Sequence, residues 1–325
     1  MKAKLLKIDW YDPELSLIKQ AAGVLERGGL VAFPTETVYG LGADGLNTKA
    51  VISIFTAKGR PVDNPLILHV SEPSEVYKIA YPTSLAEKLM KSFWPGPLTL
   101  VIRAKDIVPP EVTGGLDTVA VRMPSNQVAN QLIRYAGVPV AGPSANRSGR
   151  PSPTDAEAVC KDLGDFVDII LDAGPTHVGV ESTVLDVTGD KAVLLRPGGQ
   201  SVEAISEVAG AIDLIGTTDQ KKMSPGTRYR HYAPLVPLFL TGGGEPDPEP
   251  LLKSFSRVGY LGISDPEIDV TFRIIFPDIG SYARGLFSAM RDLESKDVDA
   301  IVAEFPSEKG IGLALRDRLR RASGR

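Results

Sequence analysis

Two short segments of the chain, about 85 residues apart, carry residue types that suit an anion-binding site. Residues 58–66 read KGRPVDNPL, and residues 142–154 read GPSANRSGRPSPT. Arginine binds phosphate with a planar fork, lysine adds a point charge, and serine and asparagine orient the ligand. Glycine lets backbone N–H groups come close, and proline stiffens the loop. The pair predicts a site for a phosphate-bearing ligand; the alternative is two solvated basic loops.

Size and composition limit the class of protein. The chain has 325 residues, enough for two domains of ordinary size, and its 43% hydrophobic and 23% charged residues are typical of a globular protein. A net charge of −4 argues against a nonspecific nucleic-acid binder. The single cysteine, Cys160, excludes an internal disulfide and a Cys-based zinc cluster, and it fits a cytoplasmic protein. We expect neither a signal peptide nor a membrane span.

Alternating helices and strands must position the two segments. This alternation over the first 200 or so residues predicts an α/β fold. Predicted strands cover 30–33, 66–70, 98–102, 118–122, 138–141 and 167–171, and predicted helices include 48–57, 83–93, 126–136 and 154–163. The helix at 48–57 delivers Lys58, and the strand at 138–141 leads into the second segment. Residues 34–42, rich in hydroxyls and glycine, are predicted as a loop, and 118–122 as a half-exposed strand.

The sheet is predicted to be mixed. Residues 182–187 and 191–196 have the pattern of an antiparallel hairpin, and Pro139 lies inside a predicted strand. Both features favour a mixed sheet over a purely parallel one.

A second, smaller unit follows a basic segment at 216–235. That segment contains Lys221, Lys222, Arg228, Arg230 and His231, whereas a plain linker is more often neutral. Beyond it, strands near 236–240, 257–262 and 298–304 and helices near 281–294 and 309–322 predict another α/β domain. The arginines at 316, 318, 320 and 321 are interpreted as a solvated helix face.

Seven motifs in unbroken order now point to a known family. They read PTETVYGLG from 34, KGRP with NPL and His69 from 58, TVAVR from 118, PSAN with SG and PSPT from 143, ESTV from 181, LLRPG from 194, and SPG followed by HYAP from 224. Together they resemble the long, two-domain form of the threonylcarbamoyl-AMP synthase family. The resemblance implies a YrdC-like twisted mixed sheet with helices, plus a smaller Rossmann-like C-terminal domain.

The resemblance also implies a domain plan and a reaction. Residues 1–215 would form the YrdC-like catalytic domain, 216–235 a basic linker that acts as a lid, and 236–325 an accessory domain. The enzyme would be a nucleotidyltransferase that converts ATP, L-threonine and bicarbonate or CO₂ into threonylcarbamoyl-AMP and pyrophosphate. Its product would pass to a tRNA threonylcarbamoyltransferase complex that modifies adenosine 37 of tRNA.

Roles at the nucleotide end are implied in the same way. Lys58 and Arg60 would bind the triphosphate, and Ser144 and Asn146 would order the nucleotide and its phosphates; these four are the predicted catalytic residues. Further predicted nucleotide contacts are Asn64, Thr118, Ser152, Arg196 and Tyr232. Mg²⁺ would accompany ATP on phosphate oxygens and water, since the sequence has no metal-ligand spacing.

Five residues are predicted to bind L-threonine. Arg122 would clamp its carboxylate, because a planar guanidinium matches that group. Thr37, His69 and Ser182 would supply hydroxyl and imidazole contacts, and Gly142 would let the backbone approach. Glu181 receives no role.

Two alternatives stay open at this point. A YrdC-like domain could bind RNA without catalysis, and whether tRNA binds directly is left undecided. The second alternative is carbamoyl transfer from carbamoyl phosphate, as in larger hydrogenase-maturation proteins that contain a similar domain. One cysteine and 325 residues argue against that second alternative.

Overall fold

Two β-sheets organise the protein, and a computed structural model describes them over residues 2–214 and 231–324. The larger sheet belongs to the N-terminal part of the chain. Its strands are β1 Lys4–Lys7, β2 Val31–Phe33, β3 Gly40–Asp44, β4 Ile67–His69, β5 Ala80–Tyr81, β6 Leu98–Ala104, β7 Thr118–Arg122, β8 Val140–Ala141, β9 Ile169–Asp172, β10 Thr183–Asp186, β11 Ala192–Arg196 and β12 Ile212–Leu214.

The larger sheet is mixed, as predicted. Its order is β1-β9-β2-β3-β8-β4-β7-β6-β10-β11-β12, with β5 pairing β6. Parallel pairs such as β4 with β7 alternate with antiparallel ones such as β4 with β8. The predicted hairpin is the antiparallel pair β10 and β11. All five residues of β7 are buried, so the prediction of a half-exposed strand is wrong: neighbours cover both faces.

Helices cover both faces of this sheet. They are α1 Leu15–Glu26, α2 Thr48–Lys58, α3 Val76–Ile79, α4 Ser84–Phe93, α5 Pro110–Thr113, α6 Gln127–Ala136, α7 Ala156–Leu163 and α8 Val202–Ala209. Val31 and Phe33 pack with α1 and α6, while Ala32 between them packs with α2, α4 and α7. Since successive side chains of a strand point to opposite faces, the two helix groups lie on opposite sides.

Strand β3 lies where the sequence predicts a loop. Its Gly40 and Gly42 face the ring of Phe33, and a Cβ added to Gly42 would lie 2.9 Å from Phe33 Cε1. These glycines therefore make room for an aromatic ring on the neighbouring strand. Glycine in a strand interior often marks such a close approach, which a single sequence does not separate from a turn.

The smaller unit is a parallel four-stranded sheet with helices. Its described elements are β13 Leu238–Thr241, α9 Glu249–Leu252, β14 Val258–Gly262, β15 Phe272–Ile275, α10 Ile279–Ser295, β16 Ala300–Glu304 and α11 Ile311–Ser323. The strand order is β13-β16-β14-β15, and all three pairings are parallel. This is the Rossmann-like layer that was predicted. None of the helices within residues 2–214 and 231–324 is long and apolar enough to cross a membrane.

The two units share buried contacts. Arg150 forms a two-pronged pair with Glu294 of α10, at 2.8 and 2.6 Å. Val38 and Val180, on loops of the larger unit, belong to the apolar cluster of the smaller one. The solvated face predicted for the C-terminal arginines is wrong at Arg318, whose side chain is 0% exposed.

Candidate active site

A cleft opens where several strands of the larger sheet end. His69 is the last residue of β4 and Arg122 the last of β7, and the two are register partners in this parallel pair. Gly142 follows β8 and donates its N–H to the Ile67 carbonyl at 2.9 Å. The space inside the cleft that water-sized groups can occupy is about 60 Å³.

Most of the predicted site residues line this one cleft, although they come from distant parts of the chain. Those that do are Thr37, Arg60, His69, Arg122, Gly142, Ser144, Asn146, Ser182, Arg196 and Tyr232.

Four predicted residues lie outside the lining. Lys58 and Ser152 are buried directly behind it, in contact with lining groups. Asn64 is buried beside Arg60, whose Nη2 donates to its carbonyl at 3.3 Å. Thr118 begins β7, at the far end of that strand from Arg122. The roles predicted for these four, like those of the residues that line the cleft, stay predictions.

Lys58 holds the second segment in place. Helix α2 begins at the Asn47 cap and ends at Gly59, whose φ of 61° is left-handed. This delivers Lys58 Nζ to the carbonyls of Ser144 and Asn146, at 2.5 Å each. Burial, then the charge of Arg60, lowers the pKa of Lys58 well below its usual value.

The second segment is further ordered by its own side chains. Ser144 Oγ donates to Asn146 Oδ1 at 2.6 Å. Asn146 Nδ2 donates to the carbonyls of Arg147 and Arg150 at 2.7 and 3.0 Å. The loop is thus preorganised, which suits transition-state stabilisation.

Arg122 is oriented from three sides. Its Nη2 lies 2.7 Å from Glu36 Oε1, Nη1 donates to Thr37 Oγ1 at 2.9 Å, and Nε donates to the Gly96 carbonyl at 3.2 Å. Glu36 does not line the cleft, so it holds Arg122 from behind. A guanidinium has five N–H groups, so Arg122 keeps further N–H donors for a ligand carboxylate.

Both histidines of the cleft are neutral. Burial, then the charge of Arg122, lowers the pKa of His69 to about 3. Burial, then the charge of Arg60, lowers the pKa of His231 to about 3. Among the described residues, His69 Nδ1 and His231 Nε2 have no hydrogen-bond partner. Each is a buried polar atom that can bond to a ligand.

Another part of the cleft lining combines hydroxyl groups with charged side chains. Ser182 Oγ lies 2.7 Å from Thr99 Oγ1, and Arg196 Nη2 donates to the Ser182 carbonyl at 2.9 Å. Among the residues that the structure describes, Arg60, Arg122 and Arg196 line the cleft with one acid, Glu181. This excess of positive charge suits an anionic ligand.

No group of three or more His, Cys, Asp or Glu side chains that could hold a metal ion exists in the described part of the chain.

Family models match nearly the whole chain. A model of the Sua5, YciO and YrdC proteins, described as "Telomere recombination", matches residues 23–198. The model "Threonylcarbamoyl-AMP synthase, C-terminal domain" matches residues 200–324. The chain belongs to the threonylcarbamoyl-AMP synthase family.

Members of this family resemble the chain over its full length. Threonylcarbamoyl-AMP synthase of Pyrococcus abyssi is 46% identical, with 94% of each chain covered. That of Bacillus subtilis is 45% identical, covering 100% of this chain and 99% of the relative. The crystal structure of P. abyssi Sua5 complexed with L-threonine superposes with a TM-score of 0.92 at 44% identity, over 99% of this chain and 98% of that one.

The predicted family, fold class and enzyme class are therefore confirmed. Sequence reasoning missed Glu36, Glu181 and Arg318, which support the cleft. Glu36 and Glu181 lie within two of the quoted motifs, so a signal was present for both. Arg318 had none, because its run of arginines matched an ordinary exposed helix end.

Proposed function

We propose that the protein joins ATP, L-threonine and bicarbonate or CO₂ into threonylcarbamoyl-AMP, with release of pyrophosphate. The observation that carries the proposal is one cleft whose lining includes Arg60, Ser144 and Asn146 together with His69 and Arg122. The first group suits phosphate, and the second suits the carboxylate and hydroxyl of a small amino acid. Membership of the family supports the same assignment.

The first group takes ATP in this proposal. Arg60 contacts the triphosphate, and Ser144 and Asn146 contact the nucleotide from the loop that Lys58 anchors. Arg196 and Tyr232 complete this end. Asn64, Ser152 and Thr118 are assigned to the nucleotide end with them. Mg²⁺ would accompany ATP, held mainly by phosphate oxygens and water, and would neutralise part of the phosphate charge.

The second group takes threonine. Arg122 pairs with the carboxylate, and Thr37, His69 and Ser182 surround the small side chain and the carbamate. Neutral His69 accepts or donates one hydrogen bond without adding charge. Gly142 leaves space beside the His69 ring, since an added Cβ would lie 2.8 Å from His69 Nδ1.

The chemistry needs positioning and charge stabilisation. A carbamate oxygen of N-carboxythreonine attacks the α-phosphorus of ATP, a new O–P bond forms, and the bond to the β-phosphate oxygen breaks as pyrophosphate leaves. Phosphoryl-type transfers of this kind depend on in-line alignment and on cations near the charged oxygens. Arg60 and the ordered Ser144–Asn146 loop supply both.

The wider context also belongs to the proposal. Residues 1–215 act as the catalytic domain and 236–325 as an accessory domain. Most of the segment predicted as a lid, 216–235, lies outside the residues that the structure describes, which stop at 214 and resume at 231. His231 and Tyr232, near the end of this segment, line the cleft. The product goes to a tRNA threonylcarbamoyltransferase complex for position 37 of tRNA, in the cytoplasm.

A pyrophosphate-release assay tests the proposal. Release should require ATP, threonine and bicarbonate together, and omission of any one should abolish it. Serine should replace threonine poorly, because a missing methyl costs about 1–3 kcal/mol in a fitted pocket. Release without an amino acid would overturn the proposal. Tight RNA binding without turnover would support the RNA-binding alternative.

A further inference from the structure

The buried side chain of Arg318 joins the C-terminal unit to the wall of the cleft. Arg318 lies on α11 and is 0% exposed. Its Nε donates to Glu181 Oε2 at 2.6 Å, and its guanidinium lies 5.2 Å from the centre of the Tyr232 ring. Glu181 and Tyr232 both line the cleft, whereas Arg318 lies behind them. Arg318 of the smaller unit thus contacts Glu181 of the larger unit and Tyr232, which packs with the apolar cluster of its own unit.

Glu181 also forms a hydrogen bond with Ser152, a residue of the second segment. Its Oε1 accepts a hydrogen bond from Ser152 Oγ at 2.5 Å. Ser152 is 1% exposed, so the chain from Arg318 through Glu181 to Ser152 is shielded from solvent. Buried, charge-assisted hydrogen bonds of this length are strong and directional.

Charges around Glu181 keep it ionised. Burial alone would raise the pKa of the Glu181 carboxyl, but the charges of Arg318 and Arg196 and the bond from Ser152 outweigh it and lower that pKa. The carboxylate is therefore a fixed negative charge on the cleft wall.

Other titratable groups face the same carboxylate. Lys58, His231 and Tyr232 lie close enough to interact with it electrostatically. On α11, Asp317 bonds to Nη1 of Arg318 and so holds the guanidinium from the other side. Lys58 and His231 both have lowered pKa values, chiefly through burial, so Arg318 is the strongest permanent partner of Glu181.

We propose that Arg318 is a positioning residue for the nucleotide end of the cleft: it fixes Glu181, which holds Ser152 and lines the cleft together with Arg196 and Tyr232. The inference rests on the proposed function, because it assigns these three residues to ATP. It gives the C-terminal unit a specific task, which is to complete the ATP site of the same chain. Loss of Arg318 would remove the strongest partner of the Glu181 carboxylate and leave Arg196 and Ser152 to stabilise its ionised form.

The inference predicts a selective effect on ATP. Arg318→Gln should weaken binding of a non-hydrolysable ATP analogue by about tenfold or more, because breaking a buried charge pair leaves its partner unpaired. The threonine KM should change less than the ATP affinity, because Ser182, the residue after Glu181, is the one predicted threonine contact next to this chain of bonds. Arg318→Lys should restore part of the affinity, because it returns the charge without the planar fork.

A matched control separates this role from simple docking of the two units. Glu294→Gln breaks the pair between Arg150 and Glu294, which also joins the units and lies outside the cleft lining. The Glu294 and Glu181 side chains are equally buried, at 10% exposure each. Glu294→Gln should lower the melting temperature but leave ATP affinity within about twofold of the unaltered protein.

A pH profile gives a second readout. Without Arg318, the pKa of the Glu181 carboxyl rises. Protonation of Glu181 removes the carboxylate that accepts the hydrogen bond from Ser152. In Arg318→Gln, kcat/KM for ATP should therefore fall as the pH is lowered through this raised pKa. The unaltered protein should show no such fall, because its Glu181 stays ionised. Adding Glu181→Gln removes the titrating group, and the extra pH dependence should disappear.

Calorimetric binding of the ATP analogue keeps this test independent of turnover. Absence of pyrophosphate release in the unaltered protein would contradict the proposed function, while the ATP affinity ratio would still decide the role of Arg318. ATP affinity in Arg318→Gln equal to that of the unaltered protein, or lowered no more than in Glu294→Gln, would overturn the inference. Glu181→Gln alone provides the same comparison if Arg318→Gln does not fold.

Discussion

Arg122 and Glu36 form a buried ion pair, with Nη2 and Oε1 2.7 Å apart and side-chain exposures of 4% and 9%. The arginine proposed to clamp the threonine carboxylate therefore already has a carboxylate partner on its far side. Such a pair stabilises the fold little in net terms, because desolvation offsets the attraction. Its use is to hold the guanidinium at a fixed angle to the cleft.

Glu36→Gln should destabilise the protein but increase its response to threonine. Removing one partner of a buried pair costs about 3–5 kcal/mol, because the other charge is left uncompensated. The threonine carboxylate can supply part of the lost compensation, so saturating L-threonine should raise the melting temperature more in the variant than in the unaltered protein. Thermal unfolding with and without threonine measures both effects.

The exposed pair of Glu157 and Lys161 is the control for that change. It lies on α7, with side-chain exposures of 77% and 65%. Glu157→Gln should leave both the free energy of unfolding and the threonine effect nearly unaltered, because exposed ion pairs contribute little. An equal threonine shift in Glu36→Gln and the unaltered protein would contradict the assignment of Arg122 to the carboxylate.

Gly142→Ala should damage threonine use more than ATP use. The added methyl carbon would lie 2.8 Å from His69 Nδ1 and 3.0 Å from its Cε1, so the imidazole would have to move. We expect the threonine KM to rise by about tenfold or more, on the order of 1–3 kcal/mol for a displaced contact. Gly189→Ala is the control, because a methyl there meets nothing within 4 Å. Unchanged threonine kinetics would argue against His69 as a contact.

Lys58 and Arg60 should fail in different ways when each is changed to Met. Lys58 Nζ holds two carbonyls of the second segment from behind the cleft, whereas Arg60 lines it. Lys58→Met leaves two buried acceptors without their donor, so the unfolding free energy should fall by about 1–3 kcal/mol per carbonyl and kcat should fall with it. Arg60→Met should mainly raise the ATP KM. Urea unfolding and pyrophosphate release distinguish the two.

If the two variants lose the same stability and show the same kinetic defect, the distinction between an anchoring lysine and a binding arginine is wrong. The stability of Arg60→Met is the sharper readout. Arg60 also donates to the Asn64 and Pro65 carbonyls, but at the longer distances of 3.3 and 3.0 Å, so its loss should lower stability less than loss of Lys58.

The local order of the fold was predictable where a pattern has one meaning. The apolar strands, the β10–β11 hairpin and the delivery of Lys58 by α2 all follow from periodicity and end signals. Strand β3 was not, because Gly40 and Gly42 have the composition of a turn and become a strand only against the Phe33 ring. The burial of Arg318 was not predictable from the sequence either, since it depends on how the C-terminal unit packs on Glu181.

The candidate site shows the same limit. Its residue types and strand-end positions were readable, so most of the chosen residues meet in one cleft. The partners that hold them, such as Glu36 behind Arg122, depend on loops brought together by the tertiary fold. Sequence spacing alone does not specify such contacts.

Stability should fall on mild acidification because His69 and His231 are buried as neutral imidazoles. Burial is the main cause that lowers each pKa from 6.5 to about 3. Above pH 6.5 both folded and unfolded states are neutral at these residues, so nothing is lost there. Between pH 6.5 and 3 only the unfolded state takes up the proton, so each histidine should cost about 1.4 kcal/mol per pH unit. From pH 6.5 to 5 that is roughly 2 kcal/mol per histidine.

Urea unfolding of His69→Asn and His231→Asn between pH 6.5 and 5 measures this loss. The difference in unfolding free energy between each variant and the unaltered protein should shift by that amount in favour of the variant, and by about twice as much in the double variant. A gap that stays constant with pH would mean that these imidazoles titrate normally in the folded protein.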